Sequence, residues 1–206
     1  EAAAAWVLHG GQLTWTRDSS FVSTTEARFN VTLSVAAMTG WYWMGETRNE
    51  LGTPVGPRTG TLTVSPNGRP SFTLSVLPVV LSYDPRGDFS TLQAITPITL
   101  SVSDLPAVVR YQDCCHSFDA QNAFQMGLVT TLPASSSLGQ SPRSSAPYRL
   151  TFPRRTTISF QIPATPPPGT SVEFDIPPVS ESLLLGAQPL GLALSPGGVV
   201  TWDLKN

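Results

Sequence analysis

The stretch Arg28-Phe29-Asn30-Val31-Thr32-Leu33-Ser34-Val35-Ala36 decides the fold class. Apolar and polar residues alternate along it, so Phe29, Val31, Leu33 and Val35 share one face and Asn30, Thr32 and Ser34 the other. A period of two suits a half-buried β-strand and fits no helical face. The same alternation recurs along the chain. Leu13 and Trp15 carry it within 11–16, Leu62 and Val64 within 61–64, and Phe72, Leu74 and Val76 within 71–77. Ile98, Leu100 and Val102 follow within 97–103, then 108–112, then Phe124, Met126 and Leu128. Ser65-Pro66-Asn67-Gly68 reads as a hairpin turn, because Asn-Gly accepts positive φ. The expectation is an all-β chain of short strands.

The pattern breaks at Pro133-Ala134-Ser135-Ser136-Ser137-Leu138-Gly139-Gln140-Ser141-Pro142, whose composition is that of a linker or loop. It restarts with Ile158, Phe160 and Ile162, then Val172, Phe174 and Ile176, then Leu190, Leu192 and Leu194, and ends on Val200 and Trp202. This divides the chain into two tandem β-sandwich modules, 1–132 and 148–206, joined by a Pro/Ser-rich segment over 133–147. Glu1 to Ala5 reads as a cloning remnant or as a mature amino terminus left by signal cleavage.

Charged residues make up 13% of the 206 positions and the net charge is −2. The longest basic cluster is Arg154-Arg155, so no electrostatic footprint for nucleic acid is present. No window holds the roughly 18 apolar residues that a membrane-spanning helix needs, and direct membrane insertion of this segment is not expected. Thr and Ser replace charge as the polar residues, which suits strands and extracellular coats. Asn30-Val31-Thr32 is a glycosylation sequon, and alternation points Asn30 away from the core.

Two parts of the chain resemble known modules. Phe160-Gln161-Ile162-Pro163-Ala164, Ser171 to Ile176, Pro189-Leu190-Gly191-Leu192-Ala193-Leu194-Ser195 and Gly198-Val199-Val200-Thr201-Trp202-Asp203 resemble the successive elements of immunoglobulin-type and dystroglycan-type cadherin-like modules. That resemblance covers roughly 148–206. It departs at Thr165-Pro166-Pro167-Pro168-Gly169, which replaces the family's acidic turn and removes the carboxylates a calcium ion would need. The first half, through Gly10-Gly11-Gln12-Leu13-Thr14-Trp15 and Tyr111-Gln112-Asp113-Cys114-Cys115, is similar to a Cys-Cys-containing β module of multi-domain surface proteins of algae and other protists. Asp113 and His116 depart from the Gly and Arg expected around that cysteine pair. Both resemblances imply surface or matrix proteins built of strung β modules, with an immunoglobulin/cadherin-like fold and no reaction.

Asp113-Cys114-Cys115-His116 offers sulfur, nitrogen and oxygen in four consecutive residues. Neighbours on a strand point to opposite faces and structural zinc sites space their cysteines, so a metal is the weaker reading. A vicinal disulfide between Cys114 and Cys115, a strained ring that forces a turn, is the preferred reading in an oxidising compartment. Two reduced thiols, or bonds to another chain, are also open to this pair. Trp41-Tyr42-Trp43 is a candidate stacking platform for sugar rings, set against a plain core-and-anchor role. Arg86-Gly87-Asp88 matches an adhesion tripeptide, on three residues only. There are two histidines, His9 and His116, and no Gly-x-Ser-x-Gly elbow, phosphate loop or zinc-helix motif.

The resulting expectation is a non-catalytic structural or adhesive ectodomain of a larger secreted or cell-surface glycoprotein, with no cofactor. Its expected partners are neighbouring modules of the same protein, other surface glycoproteins or glycans. A carbohydrate-binding module using Trp41, Tyr42 and Trp43 is the second reading, and a glycan-active enzyme the third. The cysteine reading is directly testable. The unreduced chain should weigh two hydrogens less than the reduced chain, and Cys114 and Cys115 should resist alkylation until reductant is added. Alkylation of both without reductant would refute the pairing.

Overall fold

The computed structural model describes residues 5–38, 51–54, 60–84, 89–113, 126–147, 149–153, 156–175 and 191–203. The chain opens with β1 (Ala5–His9), β2 (Gly11–Arg17) and β3 (Glu26–Met38). Next come β4 (Gly60–Ser65), β5 (Phe72–Val76), β6 (Val79–Asp84) and β7 (Phe89–Ser101). A single 3-10 turn, Val102–Asp104, leads into β8 (Ala107–Asp113) and β9 (Met126–Leu132). The remaining strands are β10 (Arg143–Ser144), β11 (Arg149–Pro153), β12 (Thr157–Gln161), β13 (Ala164–Thr165), β14 (Leu192–Leu194) and β15 (Val199–Asp203). All described pairings are antiparallel, and no α-helix occurs among the described residues.

Two four-stranded sheets, ordered β2-β3-β7-β6 and β5-β4-β8-β9, face each other across one hydrophobic core. The alternation of β3 explains why. Phe29, Val31, Leu33 and Val35 are all buried, and their ladder neighbours Trp15, Leu13, Ile98, Ala94 and Leu92 are buried beside them. Leu62, Val64, Val109, Tyr111 and Leu132 complete the core from the second sheet. Each Leu, Val or Phe removed from water in this way contributes about 1.5–3 kcal/mol. Trp15 meets the Phe29 ring edge-on, with centroids 5.6 Å apart.

The five residues from Val102 to Pro106 link the end of β7 to the start of β8, so those two strand ends lie at the same end of the sandwich. The ladders then carry the other ends with them. The last residues of β3, β6 and β8 and the first residues of β4, β7 and β9 all lie at the opposite end. At the lower end the Asn67-Gly68 turn is pinned to the 3-10 turn. The Asn67 N–H donates to the Asp104 carbonyl, and Arg69 meets the buried Asp104 carboxylate at 2.7 Å. Gly68 has φ 70°, as the Asn-Gly reading requires.

Beyond the sandwich, β12-β15-β14 forms a three-stranded sheet. Its register sets Ile158, Trp202 and Leu192 in one row, and Phe160, Val200 and Leu194 in the next, all on one face. Val200 is buried and the other five are half-buried. Gly198, at φ 85°, turns the chain into β15, and a Cβ there would meet the Phe174 ring at 2.6 Å.

Several expectations need correction. Ser171 to Asp175 forms no ladder; Phe174 only donates its N–H to the Pro196 carbonyl. Proline runs bracket the expected strand at 166–168 and 177–178, which limits its continuation in either direction. Val102 lies in the 3-10 turn and is 39% exposed, and Phe72, at the start of β5, is 38% exposed. Residues 79–84 and 89–96, which carry no clean alternation, are strand nonetheless, and Ala5 is the first residue of β1.

Gly11 opens β2 against the backbone of β3, and a Cβ there would lie 2.6 Å from the Ser34 carbonyl oxygen. We expect Gly11→Ala to destabilise the sandwich by about 1–3 kcal/mol through overpacking. Gly139→Ala, in open space, should stay within about 0.5 kcal/mol. Urea denaturation monitored by tryptophan fluorescence checks both.

Candidate functional site

Asn30 lies on β3 between Thr16 of β2 and Pro97 of β7, on the sheet face turned away from the core. It is half-buried, and Pro97 beside it is exposed. Val79, the first residue of β6, pairs with Gln93, the last β7 residue that β6 reaches, so residues 94–101 have no second strand neighbour among the described residues. A proline is tolerated there because its missing N–H costs no ladder bond, and it blocks further strand pairing at that edge. Ile95, two residues before it on the same face, is 62% exposed.

Trp41, Tyr42 and Trp43, the pair Cys114 and Cys115 with His116, and Arg86-Gly87-Asp88 lie outside the described residues. Their places in the sequence are informative through the strands that bracket them. The aromatic triplet falls between β3 and β4, the tripeptide between β6 and β7, and the cysteines between β8 and β9. The described strand ends on either side of all three face one end of the sandwich.

At the other end, the turn between β2 and β3 is ordered by its own polar groups. The Ser20 hydroxyl donates to the Asp18 carboxylate at 2.6 Å, and the Ser20 N–H donates at 3.0 Å. These bonds, with the nearby Arg28 guanidinium, hold the Asp18 carboxyl below the usual carboxylate range. Arg28 also stacks over the Phe21 ring at 4.3 Å.

The least anticipated feature is a seam along the free edge of β2. The segment expected as a linker runs antiparallel to β2. Arg17 N–H donates to the Gly139 carbonyl at 2.8 Å, and Thr16 bridges Gln140. Ser141 N–H donates to the Trp15 carbonyl at 2.9 Å, and Trp15 N–H donates to Ser141 Oγ at 2.9 Å. Gln12 closes the seam with both ends of its amide: Nε2 donates to the Ser144 carbonyl, and Oε1 accepts from the Ser144 N–H, each at 3.1 Å. Leu138 packs against the core cluster. The same two stretches stay together further out, where β1 pairs with β11 from Ala5↔Pro153 to His9↔Arg149. Ser144 Oγ donates to the Pro163 carbonyl, and β10 pairs with β13, so the seam also touches the chain after β12.

Side-chain patterning did not announce this seam, because the strap is read mainly through its backbone. Ser141 is the exception: its hydroxyl satisfies a buried N–H that no strand reaches. No family model matches the sequence, and no curated protein or solved structure matches the chain.

Replacing Ser141 by Ala leaves the buried Trp15 N–H without its acceptor. We expect a loss of about 1–3 kcal/mol in unfolding free energy. The exposed Ser136→Ala control, in the same segment, should change stability by less than about 0.5 kcal/mol. Paired urea titrations measure the difference.

Proposed function

We propose that the chain is a non-catalytic structural or adhesive ectodomain of a secreted or cell-surface glycoprotein, its first module an immunoglobulin-type sandwich. The observation that carries this reading is the strand order. Taking β2 to β9 as strands A, B, C, C′, D, E, F and G, the two sheets run A-B-E-D and C′-C-F-G. That is the order of an immunoglobulin-type sandwich with one added edge strand. Such a frame presents its B–C, D–E and F–G connections at one end, which is where binding by this architecture is concentrated. The second module, over 148–206, is read as cadherin-like. Its support is the sequence resemblance, together with the paired strands Leu192–Leu194 and Val199–Asp203 that fall on the two motifs nearest the carboxyl end. The Asn30 sequon on an outward sheet face, and the cysteine pair between strands F and G, fit a secretory route.

One observation favours the carbohydrate-binding reading. Trp41, Tyr42 and Trp43 fall in the B–C connection, whose flanking strand ends face the same end as those of the F–G connection.

Expression behind a secretory leader in eukaryotic cells, followed by glycosidase treatment and a glycan array, tests both readings. The ectodomain reading expects secretion, a mobility shift removed by the glycosidase and by Asn30→Gln, and no saturable glycan binding. Saturable binding lost in Trp41→Ala, with its thermal midpoint unchanged, replaces it by the carbohydrate-binding reading. Retention inside the cell without glycan overturns the surface assignment.

A further inference from the structure

We infer that the amino-terminal arm and the strap form a tension-release element, which opens in sequence before the sandwich carries load. The inference follows from where the chain enters and leaves each ladder. Residues 5–17 and 139–153 run antiparallel as two long stretches: β1 on β11, then β2 against the strap. Ala5, where the chain enters, is the ladder partner of Pro153, where it leaves. Tension applied from the arm to the chain beyond β11 therefore acts at one end of the ladder. It opens the hydrogen bonds a few at a time, from Ala5↔Pro153 to His9↔Arg149, then at Gln12 with Ser144, Trp15 with Ser141 and Thr16 with Gln140.

The strap has little else to hold it. Ser135, Ser136, Ser137, Gly139, Pro142 and Arg143 are exposed, and only Leu138 packs on the core. Few buried apolar contacts place such a segment at the low end of local stability.

Once the seam has opened, the geometry of loading changes. The remaining attachment points are Gly11, at the start of β2, and Leu132, at the end of β9. Gly11 pairs with Val35 near the upper end of β3, and Leu132 pairs with Ala107 at the lower end of β8. Pulling these two points apart slides β2 along β3, so that all the bonds between Gly11↔Val35 and Arg17↔Phe29 resist together. The chain is thus soft first and stiff second. The six residues before Gly11 and the twenty-one from Pro133 to Pro153 are released in the soft stage. At about 3.4 Å each they lengthen the molecule by roughly 90 Å. The use of this element to bear load on a surface rests on the function proposed above; the two-stage mechanics do not.

Single-molecule force spectroscopy on the full chain, with bio-orthogonal handles at residues 1 and 156, tests the inference. The expected trace has a low-force extension of roughly 90 Å before the rupture of the sandwich. The double variant Val7→Cys/Thr151→Cys joins two ladder partners. Its early extension should vanish in oxidant and return in reductant. Moving the handles to the exposed residues 19 and 134 leaves both seam stretches outside the loaded path and should remove the early extension without any lock. A single rupture with no earlier extension overturns the inference. So does an early extension that survives either the oxidised lock or the relocated handles.

Discussion

The β3–β7 ladder holds the molecule together. It pairs thirteen residues, from Glu26↔Ser101 to Met38↔Phe89, without a break in register. Because side chains alternate along a strand, one unbroken register commits every second residue of both strands to the core. Phe29, Val31, Leu33 and Val35 thus meet Ile98, Thr96, Ala94 and Leu92 on a single inner face. A slip of one position would turn the whole set to solvent. Strands β2 and β6 take their positions from this pair, and the second sheet closes over the face it creates.

The ends of the sandwich follow from the same ladder. The short connection through the 3-10 turn brings β8 back along the second sheet, and the Arg69–Asp104 ion pair ties the β4–β5 hairpin to that connection. With the lower end held by these contacts, the described strand ends that flank the aromatic triplet, the tripeptide and the cysteine pair in sequence lie at the upper end. A frame that is tightly paired along its length and variable in its connections is how sandwiches separate stability from recognition.

The edges are handled in three ways. The outer edge of β2 is occupied by the strap, through backbone bonds and the buried Ser141 hydroxyl. The edge of β6 is met by residues 52–54, where Gly52 N–H donates to the Val80 carbonyl and Val80 N–H donates to the Thr53 carbonyl. The open half of β7 carries Pro97, which has no N–H to offer. Each device covers or blocks a sheet edge, and the first of them holds residues 139–144 against β2.

Much of this was legible in the amino-acid order. The alternation around Phe29 to Val35 identified strands and named the buried face, because a period of two is a local property that backbone geometry enforces. Asn67-Gly68 marked its turn for an equally local reason, the positive φ that few residues accept. Leu13 and Trp15, alternating within 11–16, face the core through the same period of two. What the tertiary structure alone decided is which strands are neighbours. Backbone hydrogen bonds are the same for every residue type but proline, so neither the pairing of Ala5 with Pro153 nor the annealing of a Ser/Pro-rich segment onto β2 leaves a pattern in side chains. Residues 89–96 likewise became strand against β3, and 79–84 against β7 in turn, while Ser171 to Asp175, with the right alternation, found no ladder partner.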